Sequence, residues 1–153
     1  MWENSEDFVV IKKEWSNSLK GKKILLIEGD PGHADLVIDI LKERHKRDVV
    51  LKKDGEGAVD YIQKINSGGE EAIQSSIDMV ILDLNIPKVD GMDILKFLKK
   101  NQKFSSIPVI IFSTSSDRKT IDEAYKNGAN GYITKPISHE NLIKKIKTLR
   151  EYC

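Results

Sequence analysis

Met79-Val-Ile-Leu-Asp83-Leu-Asn-Ile-Pro87-Lys-Val-Asp-Gly91 is the stretch on which the reading of this chain turns. Four apolar residues in succession suit a strand covered on both faces. The carboxylate of Asp83 stands at its C-terminal tip, where the chain opens into a loop broken by Pro87 and Gly91. In open α/β sheets, ligands bind in the crevice outside the carboxyl ends of the strands. Two later apolar runs end in the same manner: Val109-Ile-Ile-Phe112 gives way to Ser113, and Gly131-Tyr-Ile-Thr134 to Lys135. An anion, a hydroxyl and a cation at three successive strand tips point to a site that handles phosphoryl groups.

Outward from this stretch the pattern is regular. Upstream, Ile24-Leu-Leu-Ile27 reads as a buried strand ending in Glu28-Gly-Asp-Pro31. Pro31 suits the first turn of a helix in which Leu36, Ile40 and Leu41 recur at helical spacing. Val49-Val-Leu51 reads as a second strand, and Gly55 to Ser67 as a helix with Ala58, Tyr61, Ile62 and Ile65 on one stripe. Ser67-Gly-Gly-Glu-Glu71 breaks that helix and leaves a long loop to Ser76, with one helical turn expected around Ala72-Ile73. Downstream, helices are expected from about Gly91 to Lys100, with Ile94, Leu95 and Leu98 inward, and from about Asp117 to Asn127, with Gly128 as a left-handed stop. Ser138 is the expected N-cap of a last helix whose apolar stripe is Leu142, Ile143, Ile146 and Leu149. Five strands alternating with five helices imply an α/β fold, a doubly wound parallel sheet.

With 153 residues, one such domain fills the chain from 21 to 153. Residues 1–20 read as a partly disordered arm that docks loosely, with Trp2 and Trp15 as apolar anchors. Lys+Arg 25 against Asp+Glu 24 leaves a net charge of +1. Such a balance gives no support for a nucleic-acid or anionic-membrane partner, both of which favour basic surfaces. Cys153 is the only cysteine, so no intramolecular disulfide forms, and a cytoplasmic location is the natural expectation. No apolar run approaches the roughly 18–20 residues that span a bilayer, and the acidic start Met1-Trp-Glu-Asn-Ser-Glu-Asp7 is unlike a secretion signal.

Lys135 precedes Pro136, and a cis Lys135-Pro136 bond is the expected means of aiming the ammonium inward, since X–Pro bonds adopt cis for only ~0.5–1 kcal/mol. Four fragments now stand in order: Ile24-Leu-Leu-Ile-Glu28, Val80-Ile-Leu-Asp-Leu-Asn-Ile-Pro87 with Gly91, Val109-Ile-Ile-Phe-Ser113, and Gly128-Ala-Asn-Gly-Tyr-Ile-Thr-Lys-Pro136. Together they make residues 22 to about 151 resemble the receiver domain of two-component response regulators, including the spacings Asp83–Ser113 and Ser113–Lys135. The long loop from Ser67 to Ser76 is similar to that of stand-alone receivers associated with phytochrome-type kinases.

The resemblance implies a flavodoxin-like sheet of strand order 2-1-3-4-5. It implies that Asp83 accepts a phosphoryl group from a phosphohistidine on a sensor histidine kinase. Mg²⁺ would be held by Asp83, the backbone carbonyl of Asn85 and an acid after the first strand, Glu28 or else Asp30. Lys135 would pair with Asp83 and then with the phosphoryl oxygens; Ser113 would swing in to the phosphoryl group, and Tyr132 would follow into the space it leaves. Asn85 and Ser115 would flank the attacking water and tune self-dephosphorylation to a moderate lifetime. With no effector domain after the last helix, output is expected to pass to a downstream protein or a phosphotransfer protein. The face from Asp117 to Glu151 is where such a receiver would dimerise or dock.

One position departs from the pattern. The family places two adjacent acids after the first strand, whereas here Gly29 follows Glu28 and offers no side-chain oxygen. Water can replace a lost carboxylate on Mg²⁺ with a weakening of affinity. Asp30 has a competing role as the helix N-cap before Pro31. Gly29 also keeps open a pseudo-receiver, a binding module with this fold but no phosphorylation. A haloacid-dehalogenase-like phosphatase would need a second acid two residues after Asp83, where the chain has Asn85, and acidic ligands beyond the lysine, where only Glu140 lies near. The histidines His33, His45 and His139 are scattered near helix ends, where solvated or capping roles are expected.

Overall fold

A computed structural model describes residues 23–44, 48–68 and 77–152 of the chain. The expected arm over residues 1–20 and the expected helical turn around Ala72-Ile73 lie outside the described residues. Five strands form one parallel sheet: β1 (Lys23–Ile27), β2 (Asp48–Lys52), β3 (Met79–Leu82), β4 (Val109–Ser113) and β5 (Gly131–Thr134). Their spatial order is β2-β1-β3-β4-β5, the doubly wound order that the resemblance to receiver domains implies. The helices are α1 (Pro31–Arg44), α2 (Gly55–Ser67), α3 (Gly91–Lys100), α4 (Arg118–Lys126) and α5 (His139–Tyr152).

The three central strands are apolar apart from Lys23 at the start of β1 and Ser113 at the end of β4, because both of their faces are covered. Ile24, Leu26, Met79, Ile81, Ile110, Phe112 and Ile133 pack against Ala34, Val37, Ile40 and Leu41 of α1 and Leu142, Ile146 and Leu149 of α5. The alternate residues Leu25, Ile27, Val80, Leu82, Val109, Ile111 and Tyr132 face the other way, onto Ala58 and Ile62 of α2, Ile94, Leu95 and Leu98 of α3, and Ile121 and Ala124 of α4. Strand alternation therefore sorts the core into two halves separated by the sheet.

Local chemistry sets the ends of the helices. Asp54 caps α2 by accepting the amide hydrogen of Gly57 at 2.7 Å, and Asp90 caps α3 through Met92 N–H at 2.8 Å. Ser138 caps α5 as expected, accepting from Asn141 N–H at 3.1 Å. α4 begins one residue later and ends one residue earlier than the sequence suggests, with Asp117 and Asn127 as its flanking residues. Gly128 has φ +101°, the left-handed stop expected of it, and a Cβ there would stand 2.8 Å from Lys99 Cγ. No described peptide bond is cis, which corrects the expectation for Lys135-Pro136. The ammonium reaches inward from a trans bond, because the strand carries Lys135 to the sheet's C-terminal edge on the side of α1 and α5.

Candidate functional site

The site follows from continuing the strand alternation by one residue beyond each tip. Glu28 follows Ile27 and Asp83 follows Leu82, two residues paired across β1 and β3, and Asp83 N–H donates to the Ile27 carbonyl at 2.9 Å. Lys135 comes two residues after Ile133, so it shares that residue's face of β5. Its ammonium lies 5.2 Å from the ring centre of Phe112, a residue of the same half-core. Three charged side chains thus converge at the C-terminal edge of the sheet. All are buried: Glu28 is 1% exposed, Lys135 4% and Asp83 6%.

Lys135 Nζ donates to Glu28 Oε1 at 2.6 Å and to Asp83 Oδ2 at 3.0 Å. The remaining oxygens of both acids are engaged as well. Asp83 Oδ1 accepts from Asn85 N–H at 3.0 Å, and Glu28 Oε2 from Asp30 N–H at 3.1 Å. Two carboxylates around one ammonium leave a buried excess of one negative charge, and burial disfavours that charge. Glu28 bears the consequence: burial, aided by its closeness to Asp83, raises its pKa to about 7 against the opposing pull of Lys135.

The hydroxyl side of the site lies across β4 and β5. Ser113 is fully buried and pairs in register with Thr134. Ser113 Oγ accepts weakly from Ser115 N–H at 3.4 Å. Tyr132 is buried on the same face, with its hydroxyl donating to the Ser115 carbonyl at 2.7 Å; burial holds its pKa above the usual phenol range. The tyrosine therefore already lies inward and is tied to the loop that follows Ser113. Asn85 reaches across the mouth, its Nδ2 donating to Thr114 Oγ1 at 3.3 Å. Thr114 was not among the residues singled out in the sequence; its only signal there is adjacency to Ser113.

Gly29 has a physical reason for its identity. A Cβ on it would stand 3.0 Å from Pro87 Cδ and 3.4 Å from the Lys53 carbonyl oxygen. The loop after Asp83 has closed onto the bare backbone where a second acid would project. Asp30 turns to the helix: its Oδ1 accepts from His33 N–H at 3.1 Å, a cap that holds its pKa below the usual carboxylate range. Among the described residues no group of three His, Cys, Asp or Glu side chains converges as a metal cage. Glu28 and Asp83, which share Lys135, nonetheless offer an all-oxygen donor set. That set fits a hard divalent cation that keeps several waters.

His33, in the first turn of α1, is not the solvated or capping residue expected of it but stands against the charged cluster. Its Nδ1 lies 3.1 Å from Lys135 Nζ. Ammonium has only donors, so Nδ1 is the acceptor and the ring proton sits on Nε2. Asp30 Oδ2 is 3.7 Å from the same nitrogen, too far for a hydrogen bond. Burial and the Lys135 charge both lower the pKa of His33, which keeps the ring neutral. The available signal was topological: the first turn after β1 stands over the edge where the strand tips meet.

Comparison with known proteins is consistent with this arrangement. The family model for the response regulator receiver domain matches residues 24–147. The chain is 34% identical over 130 residues to a probable methanogenesis regulatory protein, FilR2, of Methanothrix harundinacea, covering 84% of this chain and 81% of the relative. It is 29% identical over 132 residues to the response regulator Rcp1 of Synechocystis, covering 86% of this chain and 88% of that protein. Among solved structures, the Mn²⁺-bound form of Rcp1 superposes with a TM-score of 0.78, covering 86% of this chain and 93% of Rcp1. The phosphorylated cyanobacterial phytochrome response regulator RcpA does so at 0.77 and 33% identity, covering 86% and 92%.

Proposed function

Because the chain belongs to the response regulator receiver domain family of two-component signalling, we propose that it accepts a phosphoryl group on Asp83 from the phosphohistidine of a sensor kinase. The observation that carries this reading is the Glu28–Lys135–Asp83 cluster, a buried ammonium shared by two carboxylates at the sheet's C-terminal edge. In the transfer an Asp83 oxygen attacks phosphorus, the phosphorus–nitrogen bond of phosphohistidine breaks, and the imidazole leaves with the bonding pair. The transition state of such a transfer is loose, so positioning and charge neutralisation are the main contributions a protein makes. Lys135 neutralises Asp83 beforehand and meets the phosphoryl oxygens afterwards. Asp83, Glu28 and the Asn85 carbonyl would hold a divalent cation such as Mg²⁺, which would supply further positive charge when bound. Ser113 offers its hydroxyl to the phosphoryl group. Tyr132, already inward, ties down the loop after Ser113 through the Ser115 carbonyl, and Asn85 and Ser115 flank the water that later hydrolyses the acyl phosphate.

The protein on this reading is a non-enzymatic, cytoplasmic signalling module. Its output goes through protein contacts on the Asp117–Glu151 face, either to a second copy or to a downstream or phosphotransfer protein. Acetyl phosphate with Mg²⁺ is expected to form a hydroxylamine-labile acyl phosphate that Asp83→Asn lacks. A label that survives this substitution, or no label at all, overturns the assignment. The second outcome would favour a pseudo-receiver, a reading to which the closure of Pro87 onto Gly29 gives specific support.

A further inference from the structure

An ammonium has three N–H donors, and in this pocket all three have acceptors: Glu28 Oε1 at 2.6 Å, Asp83 Oδ2 at 3.0 Å and His33 Nδ1 at 3.1 Å. With its side chain only 2% exposed, Lys135 has little room for solvent as a fourth partner. A phosphoryl oxygen that comes to Lys135 must therefore take one of these three bonds. The partners are unequal. Glu28 forms the shortest of the three bonds, and Asp83 is a carboxylate facing the ammonium, a pairing of opposite charges that makes the stronger kind of hydrogen bond. The imidazole is neutral, forms the longest of the three bonds, and belongs to the most open of the three residues, its side chain 29% exposed. Its removal leaves no buried charge unpaired.

We propose that His33 is a positioning residue that holds the third N–H of Lys135 in the resting pocket and cedes it to a phosphoryl oxygen on Asp83. The inference rests on the reading of Asp83 as phosphoryl acceptor. The residue at position 33 then sets how firmly the pocket holds the phosphoryl group, acting through Lys135 and not by touching phosphorus. Alanine at 33 leaves the third N–H to a water that a phosphoryl oxygen replaces without moving a side chain. Asparagine at 33 retains an acceptor oxygen close to the position of Nδ1 and imitates histidine.

The test is titration of the full chain with beryllofluoride and Mg²⁺, a non-covalent phosphoryl mimic, in wild type, His33→Ala and His33→Asn. Alanine is expected to tighten binding by about two- to tenfold, the range that one exchanged hydrogen bond carries, while asparagine stays near wild type. A ¹⁵N spectrum of the His33 ring supplies a signature that a purely structural role would not move: the unprotonated Nδ1 resonance shifts as its hydrogen bond to Lys135 breaks on adding the mimic. Unchanged or weaker binding by the alanine variant, or a motionless Nδ1 resonance, overturns the inference while the acceptor reading stands. Absence of binding by wild type overturns both.

Discussion

Lys135 decides the chemistry at the scale of single residues. Its buried charge is tolerable only because Glu28 and Asp83 face it, and removing one member of such a cluster leaves uncompensated charge in a desolvated place. Lys135→Met is expected to destabilise the protein by about 3–5 kcal/mol, read as a lowered urea midpoint; a loss below about 1 kcal/mol, the size of an exposed pair, would contradict the burial. Glu28 gives a prediction of pH dependence. Its folded pKa of about 7 lies above the 4.5 of an ordinary glutamate. Between these values the folded state binds more protons than the unfolded one, so stability falls as pH rises across that interval. The urea midpoint should drop from pH 5 to pH 7.5 in wild type by more than in Glu28→Gln; equal drops would remove the effect from Glu28. Asp83, Ser113 and Lys135 were legible in the sequence because each ends an apolar run. His33 reads there as solvated or capping, because its partner is 102 residues away and its place in the first turn after β1 puts it over the strand tips without saying which one it meets.

Among the elements, the strands and helices were legible because their apolar residues repeat at the periods that two-sided burial demands. Val37 and Ala34 of α1 are buried with Ile40 and Leu41, since α1 packs against both the sheet and α5, whereas Leu36, also picked out by the spacing, is only partly buried. What the sequence could not convey was how loops close on one another. Gly29 reads there as a missing acid, whereas in the fold it is the surface on which Pro87 rests. The same loop is held from its other side, where Gly55 N–H donates to the Pro87 carbonyl at 2.9 Å and a Cβ on Gly55 would stand 2.4 Å from Val89 Cβ. Gly29→Asp should therefore have opposed effects: a loss of about 1 kcal/mol from forcing Pro87 outward, and tighter Mg²⁺ binding from a third carboxylate. Unchanged stability in denaturant titration would show that the Pro87 contact is not a close one.

In the molecule as a whole, two half-cores meet the sheet from opposite sides, and the site lies where their boundary reaches the C-terminal edge. The charged residues continue the alternation of the α1–α5 half, and Ser113 and Tyr132 that of the other half. Phosphorylation at Asp83 would thus act on both halves at once, through Lys135 toward α1 and through Tyr132 and Ser115 toward α4. The fold class was legible at this scale, because parallel strands joined through helices admit few topologies; the strand order followed from the resemblance to receiver domains. The lining of the acid pocket was not, because it depends on contacts between loops distant in sequence. The central claim is that Asp83 is the acceptor, and intact-mass measurement after incubation with acetyl phosphate and Mg²⁺ tests it most directly. The account predicts that wild type gains the mass of one phosphoryl group and Asp83→Asn gains none. An unchanged wild-type mass, or the same gain in Asp83→Asn, would contradict it.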